Sequence, residues 1–129
     1  MEITGKQRKQ LLKSQQGELD EVLMYRRLAK RVKKEQDREA FLRLASDEDR
    51  HASVFYAYTK TDLKPKHAKA ILIPLLYRLA GPEKVYPLIA KGEYGAAKKY
   101  VDLLRDFPEV ERVLQDENHH GDAVLSLLK

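Results

Sequence analysis

The spacing Glu-x-x-His occurs twice in this chain, at Glu48 and His51 within SDEDRH and at Glu117 and His120 within DENHHG. In each case both residues fall on what reads as the apolar stripe of a helix, where charge is expensive to place. Counting by alternate steps of four and three gives Leu11, Gln15, Glu18, Val22, Tyr25, Ala29 and Val32 along a first helix that Thr4 caps. The second carries Asp37, Phe41, Leu44, Glu48, His51, Phe55 and Tyr58, with Asp47, Asp49 and Arg50 directed away from the core. A third reads Tyr86, Ile89, Glu93, Ala96, Tyr100 and Leu103, and a fourth, opening at Pro108, reads Val110, Val113, Glu117, His120, Val124 and Leu127. Each of the four helices therefore carries a glutamate in its inward stripe.

The rest of the chain is compatible with little besides helices. Leu, Ala, Lys, Arg and Glu dominate, and the few glycines and prolines punctuate rather than pervade. A length of 129 residues suits one domain with a real core. Short links near 34–37 and 106–108 make each helix pair an antiparallel hairpin. The expected organisation is one hairpin over 4–60, a long crossover with its own short apolar helix over 61–81, and a second hairpin over 82–128. The halves repeat: Glu18 precedes Tyr25 by seven as Glu93 precedes Tyr100, and the two Glu-x-x-His pairs correspond. A pseudo-twofold axis is the simplest explanation.

Composition removes several function classes. The chain has no cysteine, which excludes disulfides, thiolate zinc sites, iron–sulfur clusters and cysteine nucleophiles together. The net charge of +5 comes from dispersed Lys and Arg without interleaved aromatics, a poor footprint for specific nucleic-acid binding. The segment AILIPLLYRLA at 70–80 is far shorter than the roughly 20 residues a membrane-spanning helix needs. The N-terminal MEITGKQRKQ lacks the apolar run of a secretory signal, so a cytoplasmic location is expected.

An unpaired buried carboxylate costs several kcal/mol, and a fold accepts one only when it is paired or binds a metal. Four inward glutamates bring a charge that two divalent cations balance. A Glu and a His three apart share a helical face and can reach one ion together. Oxygen-rich ligation with one imidazole per metal suits iron or manganese and leaves positions open for dioxygen or peroxide. The competing reading is a metal-free bundle whose inward polar residues satisfy one another. Of the remaining histidines, His119 should face aside and His67, in a lysine-rich stretch, should be exposed. Asp116 is a weak candidate to orient a histidine.

The segments ELDEVLMY (18–25), FLRLASDEDRHA (41–52), GEYGAAKKY (92–100) and ENHH (117–120) resemble the rubrerythrin and erythrin branch of the ferritin-like superfamily. They are especially similar to the ferritin-like domain of vacuolar iron transporter-group proteins. The resemblance runs from about Gln15 to His120. It implies an all-α, ferritin-like antiparallel four-helix bundle holding two Fe ions, with Mn or a mixed pair as alternatives. The implied ligands are Glu18, Glu48, His51, Glu93, Glu117 and His120, with Glu48 and Glu117 bridging, and Tyr25 and Tyr100 donating to glutamates of the opposite half. The implied activity is that of an oxidoreductase reducing hydrogen peroxide, or reacting with dioxygen; the alternative is a ferroxidase or an iron-binding, storage or delivery module. Rubrerythrins carry a further glutamate one turn after the third-helix ligand, where this chain has Ala96; Glu21, in the mirrored place, is an additional candidate ligand. They also append a cysteine-ligated domain, so this chain would need an external electron donor. A homodimer is expected from the apolar crossover.

Overall fold

The computed structural model describes residues 2–129 and is all-helical, with no strand among the described residues. Helix α1 spans Gly5–Ala29, α2 Glu35–Thr59, α3 Ala68–Ala80, α4 Pro82–Tyr100 and α5 Val110–Ser126. It is a ferritin-like helical bundle: α1 pairs with α2 and α4 with α5, and α3 lies in the crossover between the hairpins.

The ends of the helices follow from local chemistry. Thr4 and Gln7 form a reciprocal capping box that satisfies donors at the start of α1. Helix α2 stops where Lys60 turns left-handed at φ 52°. Gly81, at φ 82°, ends α3 and opens α4 in a conformation a side chain would strain, and Pro82 follows at a position that needs no amide donor. Pro108 does not open α5 as the sequence suggests. It sits in a turn after a short 3-10 segment at Val101–Leu103; the Glu111 amide reaches back to its carbonyl, and the helix begins at Val110.

The stripes counted from sequence form the interior, including the polar positions Gln15, Glu18, Asp37, Glu48, His51, Glu93, Glu117 and His120. Apolar packing divides into two clusters. One is built around Tyr25, Leu28, Phe41, Tyr86 and Ile89, and the other around Leu11, Phe55, Leu103, Phe107 and Val110. The buried glutamates and histidines lie between them along each helix. Helix α3 packs on the first cluster through Tyr77, Ile73 and Leu76, and on α1 and α4, while Ile71, Leu72, Leu75 and Leu79 stay exposed. Its 13 residues, and every other helix among the described residues, are too short or too polar to cross a membrane.

Helix α3 covers only one end of the seam between α1 and α4. Over the other end runs a groove of about 730 Å³ with Gly17 on one wall and Gly92 and Gly95 on the other. A Cβ built at any of these three glycines meets nothing within 4 Å, so crowding does not require them. Glycine inside a helix costs about 0.5–1 kcal/mol relative to alanine. Gly17→Ala and Gly95→Ala are therefore each expected to stabilise the fold by about that amount, raising the thermal midpoint by roughly 2–5 °C in circular dichroism. A lowered midpoint would show that the walls lack the room described.

Candidate metal centre

Toward the ends of the bundle the buried polar side chains are satisfied locally. Gln15 donates to the Thr61 carbonyl at 2.8 Å and accepts from the Thr59 hydroxyl at 2.5 Å. Asp37 accepts from the Tyr86 hydroxyl at 2.6 Å. At mid-bundle that pattern fails. Glu18 Oε1, both oxygens of Glu48, Glu93 Oε2, Glu117 Oε1 and the Nδ1 atoms of His51 and His120 are buried without a hydrogen-bond partner. A fold rarely leaves one such group orphaned, and here seven atoms face each other.

Their arrangement is twofold. Glu18, Glu48, His51 and Glu117 offer ligand atoms within 4.8 Å of one another, and so do Glu48, Glu93, Glu117 and His120. Glu48 and Glu117 belong to both groups; each group adds one glutamate and one histidine of its own. His51 Nδ1 lies 3.0 Å from Glu48, 3.1 Å from Glu117 and 3.2 Å from Glu18. His120 Nδ1 lies 3.2 Å from Glu48, 3.4 Å from Glu117 and 3.6 Å from Glu93. The imidazoles stand 5.6 Å apart between centroids.

The far nitrogens are held by the partner hairpin. His51 Nε2 meets Asp116 Oδ2 at 2.8 Å, and His120 Nε2 meets Asp47 Oδ2 at 2.9 Å. Arg112 steadies Asp116 at 3.3 Å, and Arg50 pairs with Asp47. A carboxylate accepting from Nε2–H orients each ring so that Nδ1 points into the cluster and, in the neutral ring, fixes the tautomer that leaves its lone pair there. Asp47 corrects the sequence expectation, which turned it away from the core. The signal was present in the longer repeat Asp-Glu-x-x-His, at 47–51 and 116–120, in which each aspartate serves the other half's histidine.

The remaining candidates separate. The Tyr25 hydroxyl donates to Glu93 Oε1 across the bundle, whereas Tyr100, also buried, makes no hydrogen bond to a glutamate among the described residues. Tyr100 instead lines the open groove together with Glu18 and Glu117. Glu21 is held by Lys69 Nζ at 3.0 Å and stands outside both groups. His119 and His67 are exposed.

The electrostatics reflect crowding. Burial pushes the Glu18 carboxyl up to about 7, with the Glu117 charge adding to it and His51 opposing. Burial also holds Glu48 and Glu93 well above the usual carboxylate range. For His51 burial disfavours the charged ring, but the close carboxylates of Glu117, Glu18 and Glu48 outweigh it and raise it to about 12. His120 is raised in the same way by Glu117, Glu48 and Glu93. Without metal, the cluster compensates its charge by holding protons.

Two groups of three carboxylates and one imidazole, sharing two of the carboxylates, form adjacent donor sets that could each hold a metal ion in a helical bundle. The chain belongs to the rubrerythrin family, whose model matches residues 9–128; rubrerythrin-type domains generally bind a di-iron centre. No curated protein and no solved structure matches the chain.

The raised groups make a signed prediction. The Glu18 carboxyl titrates higher in the folded chain than unfolded, so its contribution is full below about pH 4.5 and is lost as pH rises through about 7. The raised histidines act in the same direction from about pH 6.5 upward. Metal-stripped protein in urea is expected to be less stable at pH 8 than at pH 5, by about 1–3 kcal/mol. Equal stability at both would show that the cluster holds no extra protons.

Proposed function

We propose that this protein is a di-iron carboxylate oxidoreductase that reduces hydrogen peroxide with electrons from an external donor. The observation that carries the reading is the set of seven orphaned buried atoms arranged as two equivalent groups. Glu18 and His51 would hold one iron, Glu93 and His120 the other, with Glu48 and Glu117 bridging. Manganese, alone or mixed with iron, fits the same oxygen-rich donor set. When bound, the reduced pair supplies two electrons together, so that peroxide with two protons becomes two waters and no radical escapes.

The chain's own residues prepare this. Asp47 and Asp116 keep both Nδ1 atoms unprotonated toward the cluster once metal replaces the protons held there. The Tyr25 hydroxyl, raised well above its ordinary value by burial and by the Glu93 charge, stays protonated and fixes Glu93 Oε1, leaving Oε2 for the cluster. The packed clusters above and below close the layer at both ends of the bundle. The equal donor sets of the two groups, each three carboxylates and one imidazole, support a two-electron reduction of peroxide. The exposed Ile71, Leu72, Leu75 and Leu79 face of α3 supports a homodimer, which light scattering at micromolar concentration would show as a doubled mass.

Two irons per chain are expected on elemental analysis after anaerobic loading. Glu48→Ala or Glu117→Ala should lose most of the metal, Asp47→Asn or Asp116→Asn should weaken binding roughly 10–100-fold, and Glu21→Ala or His119→Ala should retain it. Equal losses throughout would refute the ligand set. In stopped-flow mixing, the ferrous protein should be oxidised faster by peroxide than by dioxygen. Faster oxidation by dioxygen, with ferric iron accumulating beyond two per chain, would establish the ferroxidase or storage reading instead.

A further inference from the structure

The groove over α1 and α4 reaches the buried cluster: Glu18 and Glu117, each with an orphaned oxygen, form part of its lining. The neighbouring α4–α5 face is packed more tightly. There Tyr94 packs so closely on Gly121 that an added Cβ would sit 2.5 Å from its ring, and its hydroxyl is tied to Asp122. At the far end α3 covers the seam between α1 and α4. The groove offers a route from solvent to Glu18 and Glu117.

Its volume and lining say what fits. At about 730 Å³ the groove is far larger than peroxide requires, a water occupying roughly 30 Å³ in the liquid, and falls within the roughly 300–1,000 Å³ of sites for organic ligands. Gly17 on the α1 wall and Gly92 and Gly95 on the α4 wall add no side chain to the groove, and no steric crowding accounts for these helix-interior glycines. They hold a slot open. Leu88, 54% exposed, and the Tyr100 ring add apolar surface. Lys13, Lys91 and Lys99 stand on the rim without ion pairs among the described residues, while Lys69 is occupied by Glu21. Against them the rim sets one further carboxylate, Asp102; Glu18 and Glu117 lie deeper, where metal would balance them. At the rim itself three unpaired lysines outnumber Asp102, and this local excess draws anions whether or not metal is bound.

We propose that this groove is a binding site for a small organic anion, a flat body between the glycine walls with a phosphate or carboxylate on the lysines, placed against the buried centre. The ligand's position beside Glu18 and Tyr100 is that of a partner for the centre, and in this respect the inference rests on the metal reading above. Its occupancy by an anion rests only on the groove.

Isothermal titration of the iron-loaded protein with oxidised flavin mononucleotide tests it. Riboflavin and inorganic phosphate serve as the two halves of that probe. One saturable site per chain is expected for the mononucleotide, tighter than for either half. The Lys91→Glu/Lys99→Glu double variant should weaken it roughly tenfold through reversed charge. Gly95→Leu should fill the slot and abolish it while the helical circular dichroism is retained. No saturable binding, or binding that the double variant and Gly95→Leu leave unchanged, would overturn the proposal, as would phosphate binding as tightly as the mononucleotide. Glu48→Ala separates the two readings. It should still bind the mononucleotide when its iron is lost, and if it keeps its iron the ligand assignment fails while the groove is judged by the titration alone.

Discussion

Mutual repulsion among four carboxylates in one dry layer of the bundle is the constraint to which the rest of the structure answers. Glu18, Glu48, Glu93 and Glu117 are each at most 3% exposed, and water cannot screen them. Two imidazolium rings can offset half of their charge, and protons on carboxyls raised by burial can offset more. Such a state leaves seven polar atoms facing one another without hydrogen-bond geometry. Two divalent cations would remove the deficit and free both histidines to act as neutral ligands. The cluster is thus a defect as a folding element and a solution as a coordination site.

The fold can carry this defect because its apolar packing lies elsewhere. The cluster around Tyr25, Phe41 and Tyr86 and the one around Leu11, Phe55 and Phe107 each bind the hairpins together without involving the charged layer. Phe41 stacks on Tyr25 at 5.8 Å and meets Tyr86 edge-on at 5.3 Å, tying three helices at one end. At the other end Phe55 meets Tyr100 at 5.2 Å and Tyr58 meets Phe107 at 4.8 Å, tying α2 to α4 and to the turn before α5. The polar layer is held in register from both sides, which is why six ligand-type side chains on four helices can converge within a few ångströms.

Much of this was legible in the sequence because helical periodicity is a local property. Steps of three and four found the buried face of every long helix, and even Gln15 and Asp37, polar residues within apolar stripes, are buried where the count places them. Contacts between helices were less legible. Asp47 lies about one step around from Glu48, a position that reads as solvent-facing on an isolated helix; only the approach of α5 brings His120 to it. The start of α5 was misplaced by two residues because a proline suits a preceding turn as well as a first helical turn.

The sequence repeat also suggested more symmetry than the protein has. Tyr25 and Tyr100 occupy equivalent places in the two halves, yet only Tyr25 reaches a glutamate. The difference traces to the crossover, which has no counterpart in the repeat. Helix α3 packs against α1 and α4 beside Tyr25, while the Tyr100 end is left uncovered and lined with glycine. A symmetric cluster therefore sits in an asymmetric shell, with Glu93 of one group backed by packed aromatic rings and Glu18 of the other bordering the groove. If two equivalent metals are held there, they must meet solvent and reactants unequally, and that inequality comes from a connection between the hairpins rather than from any residue that would hold the metals.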